Sequence, residues 1–503
     1  MTVCTVVPTA QAGAGPLKRL ALLAVAVWFF SLDAGLTQSA GLVIRNVTLI
    51  SPERSSPLEH AYVRIANGRI VDVGERQVRG DEEIDGDERF LVPGLIDSHV
   101  HLEQPTPGMV FGQEAAFPAL AAAARTQEPR SYLFFGFTTL IDLNATADKI
   151  AKWNKSVVRP DALFCGAAPV ANGFPMTFIP EQFRFKALRY FLYDPRQRDR
   201  IPDYVNVAEH TPEAVVGRMA SDGASCVKAH YEPGGPASGP LPTPTPEMFE
   251  GLVAAGRARR LPVVIHSNTK AGQRMAVDAG ADVITHTIAD GVGPDGQLTP
   301  DVSALLAEMA VRKVGVQPTL RALHGALALL DPAYLKDPRV ADAVPPALLD
   351  WFSTNDGGQF RDSTLKSAGG EAAFRARMAA GERSYSLVLA RLIAGDARFL
   401  FGSDSPATAS YGNLPGINGR LEMEHWVATG VSLRRLFRAL TIDNAQAFGL
   451  EKELGTVEAG KRAHLLLLRA NPLVSLEAYD AIETVIHAGR PIERRALSAR
   501  RQR

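Results

Sequence analysis

Leu91-Val92-Pro93-Gly94-Leu95-Ile96-Asp97-Ser98-His99-Val100-His101-Leu102 is the stretch whose reading decides the fold. An apolar run broken by Pro-Gly leads into two histidines one residue apart. Side chains alternate across a β-strand, so His99 and His101 point the same way. Two imidazoles on one face at the end of a buried strand can hold a metal ion from a rigid base. A His-x-His is equally well two partly exposed strand histidines, and the rest of the chain has to decide between the readings.

Outward from this stretch, short apolar strands alternate with helical segments as far as about residue 447. After the opening strand, strands are predicted at 138–143, 162–170, 226–231, 263–267, 282–287, 313–320 and 399–404. Helices lie between them, such as 245–259 and 270–279, the latter stopped by Gly280. Eight β-then-α units in one domain imply an α/β fold, a (β/α)8 TIM-like barrel. Two connections, 172–225 and 321–396, are too long for simple barrel loops. The first is rich in phenylalanine and tyrosine, which suits both an extra helical layer with its own core and a lid.

The two ends read differently. Residues 42–50 are apolar and β-branched, and Asn67-Gly68 joins two further strands in a hairpin pattern. Short strands return at 464–468 and 484–487. Neither end buries a core alone, so both are expected to pair into one small β-sandwich domain around the inserted barrel. The expected division is 41–90 and 451–495 for that domain and 91–450 for the barrel.

Lys18-Arg19 precede an unbroken apolar run from Leu20 to Phe30, followed by small and polar residues to Ala40. That order reads as a secretory signal over 1–40 and predicts export, to the periplasm or the medium. The run is short for a bilayer span, so no stable membrane insertion is expected once it is cleaved. Lys+Arg and Asp+Glu balance at 54 each, which gives no basic field for nucleic acid. The arginine-rich end, Arg494 to Arg503, is expected to be solvated and frayed. Of 3 cysteines, Cys4 lies in the signal. Cys165 and Cys226 fall in apolar strands and are expected as buried free thiols.

In such barrels the active site lies at the C-terminal ends of the strands. His99 and His101 end the first, Lys228 lies on the fourth, His266 ends the fifth, His286 ends the sixth and Asp404 ends the eighth. Alternation puts His230 on the face of Lys228; Tyr231 follows, and His324 lies just beyond the seventh strand. These three are candidates for substrate contact. His60, His210, His425, His464 and His487 carry no claim.

The chain resembles the amidohydrolase superfamily, in the branch of imidazolonepropionase-like enzymes and prolidase-type metal-dependent dipeptidases. The resemblance rests on Pro93-Gly94 through His101, Gly136-Phe137-Thr138-Thr139, Ala281 through His286 and Ser403-Asp404. It continues in Leu440 through Ala445 and Gly455 through Lys461; His464 departs from the Asp usual there. It implies two divalent metal ions, zinc by donor chemistry, with His99, His101 and Asp404 on the first and His266 and His286 on the second. A protonated lysine is repelled by two dications; the resemblance implies that Lys228 is a carboxylated lysine, an anionic bridge, the alternative being a lysine that reaches solvent or binds substrate beside a single metal. A metal lowers the pKa of bound water towards neutrality, and Asp404 would move the proton to the leaving nitrogen. The implied activity is hydrolysis of a C–N amide or peptide bond in a small molecule, a dipeptide or N-acyl amino acid. A cyclic amide or a lactone on the same centre is the nearest alternative; a non-catalytic exported binding protein is the broader one.

Overall fold

A computed structural model describes residues 41–75, 79–102, 105–110, 112–235, 239–406 and 410–501. The expected signal segment, with Cys4, lies outside the described residues. No helix among the described residues is long and apolar enough to cross a membrane.

Eight parallel strands curl into the barrel, in the order in which they occur in the chain. They are Leu95–Val100, Phe137–Asp142, Asp161–Ala168, Cys226–His230, Val263–His266, Val283–Thr285, Gly315–Gln317 and Arg398–Phe399. Apolar strand residues are buried on both faces, which explains why the strands read as continuous runs. The ring closes between the first strand and the segment following the eighth. His99 accepts from Asp404 N–H at 2.7 Å and Phe401 accepts from Ser98 N–H at 3.1 Å, and Val100 bridges to Ser405. Asn444 fastens the same seam from below. Its amide donates to Ile96 O at 2.9 Å and Phe401 O at 2.8 Å, and its oxygen accepts from Phe401 N–H.

Helices cover the barrel as patterned. Pro246–Arg259 begins at Thr245, whose hydroxyl accepts from Met248 N–H, and Lys270–Ala279 ends at Gly280 with φ 79°. Both chain ends build one mixed sheet, β-sandwich-like, in which Phe90–Pro93 pairs with Leu465–Leu468. Its apolar face, including Val47, Ile65, Leu91 and Leu465, forms a core of its own. Gly94 turns the chain from that sheet into the barrel, where any Cβ would collide with Thr138.

The long connections hold both expected features. The first carries a small core of Ala171, Met176, Phe191 and Ile201, while Phe174 and Phe178 reach the barrel mouth. The second is helical, ending in Glu371–Ala394.

Two expectations are overturned. Cys165 and Cys226 form a disulfide. They stand opposite each other on adjacent strands, Cα atoms 4.3 Å apart, a register that composition does not reveal. As far as Arg501 the C-terminal segment is docked rather than frayed; Arg503 lies outside the described residues. Leu497 and Ala499 are buried, Arg494 lies 4.1 Å above the Phe134 ring, and Arg500 meets Asp342 at 3.2 Å.

Candidate metal centre

The C-terminal ends of the barrel strands bring His99, His101, Lys228, His230, His266, His286 and Asp404 to one cavity of about 430 Å³. His99 and His101 Nε2 lie 3.2 and 3.0 Å from the same oxygen of Asp404. The rings of His99 and His286 are 5.4 Å apart and those of His266 and His286 4.5 Å. A larger cavity, about 860 Å³, lies at the C-terminal segment, where Arg469, Arg495 and Arg500 pair with Glu483, Glu493 and Asp342.

Backbone geometry explains how the donors converge. His286 and Asp404 take positive φ, 73° and 54°, so each turns at its strand end. Thr319, at φ 49°, sits where its hydroxyl meets His286 Nδ1 at 2.7 Å. That bond fixes the ring and leaves the other nitrogen for the cavity. Gly402 lets the eighth strand pass the first, since a Cβ there would come 2.5 Å from His99 Cβ. Asp97 accepts from His99 N–H at 3.2 Å and from Ser403 N–H at 2.9 Å, tying the same pair of strands. Burial pushes the Asp97 carboxyl up to about 7.

Electrostatics favour neutral nitrogen donors around one anion. Burial lowers His99 to about 3 and Lys228 to about 7, and it holds His230 and His286 well below the usual histidine range. Asp404 stays ionised: burial raises it, but His99, His101 and His286 together outweigh that. Ring nitrogens His99 Nδ1, His230 Nδ1 and His266 Nε2 are buried without a hydrogen-bond partner. Neutral imidazoles with unspent lone pairs beside a carboxylate fit a divalent metal. Lys228 Nζ donates to Thr285 Oγ1 at 3.0 Å.

Of the three candidates for substrate contact, His230 lines the cavity and the other two do not. Tyr231 packs over Gly272, and His324 turns to Glu382 at 3.1 Å and stacks on His425. Sequence reasoning passed over Glu232, whose Oε2 lies 3.6 Å from His266 Nε2. Burial raises that carboxyl, but His266, Asn268 and the Gly234 backbone together outweigh it and hold it below the usual range. It also passed over Phe174, Phe178, Leu323, Met378 and Tyr385 in the cavity wall. The aromatic richness of 172–225 was the available signal for the first two.

The amidohydrolase family model matches residues 90–492. The chain belongs to the amidohydrolase family. Among curated relatives, a dihydroorotase from Methanothermobacter thermautotrophicus is 29% identical over 98 residues, 19% of this chain and 20% of its own length. An adenine deaminase from Bacillus pumilus is 38% identical over 66 residues, 13% of this chain and 11% of its own length. The chain thus matches a fifth or less of these relatives' lengths. Among solved structures, a prolidase complexed with N-methylphosphonate-L-proline superposes with TM-score 0.63 at 23% identity, covering 90% of this chain and 99% of that one. For this amidohydrolase the likeness to that prolidase establishes the shared fold.

Proposed function

We propose that this amidohydrolase is a metal-dependent hydrolase that adds water across an amide or peptide C–N bond of a small molecule. The cavity, about 430 Å³, has room for an amide the size of a dipeptide or an N-acyl amino acid, whatever the charge of its ends. One observation carries the reading. Buried imidazoles without hydrogen-bond partners face the same cavity as an ionised Asp404.

His99, His101 and Asp404 would hold one divalent ion and His266 and His286 a second, with Zn²⁺ suited to the donor set. Lys228, pushed towards its neutral form by burial, is the amine that CO₂ would convert to a bridging carbamate. When bound, the metal ions make water nucleophilic at neutral pH and polarise the substrate carbonyl. Asp404 accepts the proton released as the water oxygen bonds to the acyl carbon. It returns that proton to the nitrogen as the C–N bond breaks. His101 Nε2 and the Asp404 carboxylate, 3.0 Å apart, converge as two ligands of one ion would. Export is supported by the N-terminal signal pattern and by a disulfide between Cys165 and Cys226.

The test is amine release by the zinc-loaded protein from a panel of dipeptides, N-acyl amino acids and simple amides. Turnover lost on chelation and regained with Zn²⁺ is the expected result. Metal-loaded protein that cleaves no amide sinks the reading.

A further inference from the structure

Beyond its donor side chains, the cavity is walled by the two long insertions. The first brings Phe174 and Phe178, the second Leu323, Ala326 and Met378. Phe174 stacks on His266, ring centroids 5.0 Å apart, and meets Phe178 edge-on at 5.2 Å. Phe178 is 71% exposed although it lines the cavity, so an occupant that covers it removes aromatic surface from water. In the second insertion, helix Arg321–Ala328 crosses helix Glu371–Ala394 at Gly381, where a Cβ would come 3.2 Å from Leu323 Cδ1. That close crossing fixes Leu323 as a rigid apolar surface.

The wall lacks what a free carboxylate needs. Among the described lining residues there is no arginine, and the one lysine, Lys228, is engaged with Thr285 among the metal donors. The undescribed residues between 100 and 410 include no lysine or arginine either. Glu232 adds negative charge behind His266 and Asn268, 3.6 and 3.4 Å from their nitrogens. A substrate carboxylate lodged at this wall, away from the metal donors, would meet no cationic side chain among the described lining residues.

We infer that the substrate of this site is an uncharged amide bearing a bulky apolar group that lodges between Phe178 and Leu323, a narrowing that rests on the hydrolase reading above. Leu323 and Phe178 are specificity residues here, remote from the reacting atoms.

Matched substrates test this on the zinc-loaded protein: N-benzoyl-leucine, its decarboxylated twin N-(3-methylbutyl)benzamide, and N-(3-methylbutyl)acetamide. The neutral benzamide is expected to exceed the acid in kcat/KM by at least about tenfold, the discrimination of a site that leaves a charge unpaired. Leu323→Arg should shrink that ratio about tenfold or invert it. Phe178→Ala, at an exposed rim position where folding is not at stake, should cost the benzamide severalfold and spare the acetamide. A ratio within about threefold of unity, or in favour of the acid, overturns the inference while leaving amide hydrolysis standing. If no amide is cleaved, the hydrolase reading fails separately, and equilibrium dialysis decides the pocket. Tighter retention of the benzamide upholds the neutral cleft, and equal or tighter retention of the acid overturns it.

Discussion

Among the described residues, two sites bring together two histidines and an aspartate, and their surroundings differ. At the barrel mouth, His99, His286 and Asp404 place one ligand atom each within 4.8 Å of one another. At the opposite end of the strands, where the barrel meets the mixed sheet, Asp161, His464 and His487 do the same. The difference lies in how the atoms are spent. His464 Nδ1 accepts Ala488 N–H at 3.0 Å, so its Nε2 carries a proton and points it at Asp161, also 3.0 Å away. Arg462 and Arg159 occupy the same carboxylate. A nitrogen that already carries a proton cannot ligate, and two guanidiniums repel a dication. Buried ring nitrogens without hydrogen-bond partners occur at both sites, His487 Nε2 among them, but the mouth has no guanidinium among its described lining residues. Donor identity and an unpaired nitrogen are thus weak signals; the lack of a competing cation is the stronger one.

The largest effect that separates the two sites is expected from Asp404→Asn. It removes a ligand oxygen and the proton carrier together, so kcat/KM should fall by about a thousandfold or more. The backbone bond from Asp404 N–H to His99 O survives, and the thermal midpoint should move by only a few degrees. Near-normal turnover would remove the mouth from the chemistry.

Lys228→Ala comes next. Without the amine no carbamate bridge forms, so bound metal should drop from about two ions per chain to about one, with a rate loss of roughly a hundredfold. Elemental analysis reads the first change. A carbamate carbon signal after labelling with ¹³C-bicarbonate, present in wild type and absent in the variant, reads the bridge. Two metals retained in Lys228→Ala would show that Lys228 bridges nothing.

How much of this was legible in the sequence follows the reach of local pattern. The barrel strands could be read because parallel strands buried on both faces leave continuous apolar runs, and the donors because they end those runs. Register is not local. It pairs Cys165 with Cys226, a match that neither segment announces. Docking is not local either: the terminal arginines looked like a loose tail until Phe134 and Asp342 supplied partners. The cavity wall stayed hidden because Met378 and Tyr385 arrive on a helix far along an insertion. Glu232 was overlooked because its meaning depends on His266, one strand away.

The smallest effect tests the other half of the comparison. Asp161→Asn should leave metal content and kcat/KM unchanged, because its carboxylate is already taken by Arg159, Arg462 and His464. It should cost about 1–3 kcal/mol of stability, the penalty for leaving buried donors unsatisfied. The cost depends on pH. The protein holds the Asp161 carboxyl far below the usual range: burial opposes this, but His464 and His487 outweigh it. A depressed carboxylate stabilises the fold above its unfolded value, about 3.9, and the stabilisation fades as pH falls towards the folded value. Wild type should therefore exceed Asp161→Asn by a constant margin above about pH 5, and the margin should shrink below about pH 4. His464, also lowered by burial, contributes acid sensitivity of the same sign below about pH 6.5, so the two proteins must be compared at each pH by denaturant unfolding. If Asp161→Asn instead releases a metal ion, the hydrogen bond from Ala488 has not spent His464, and competing cations no longer tell the two triads apart.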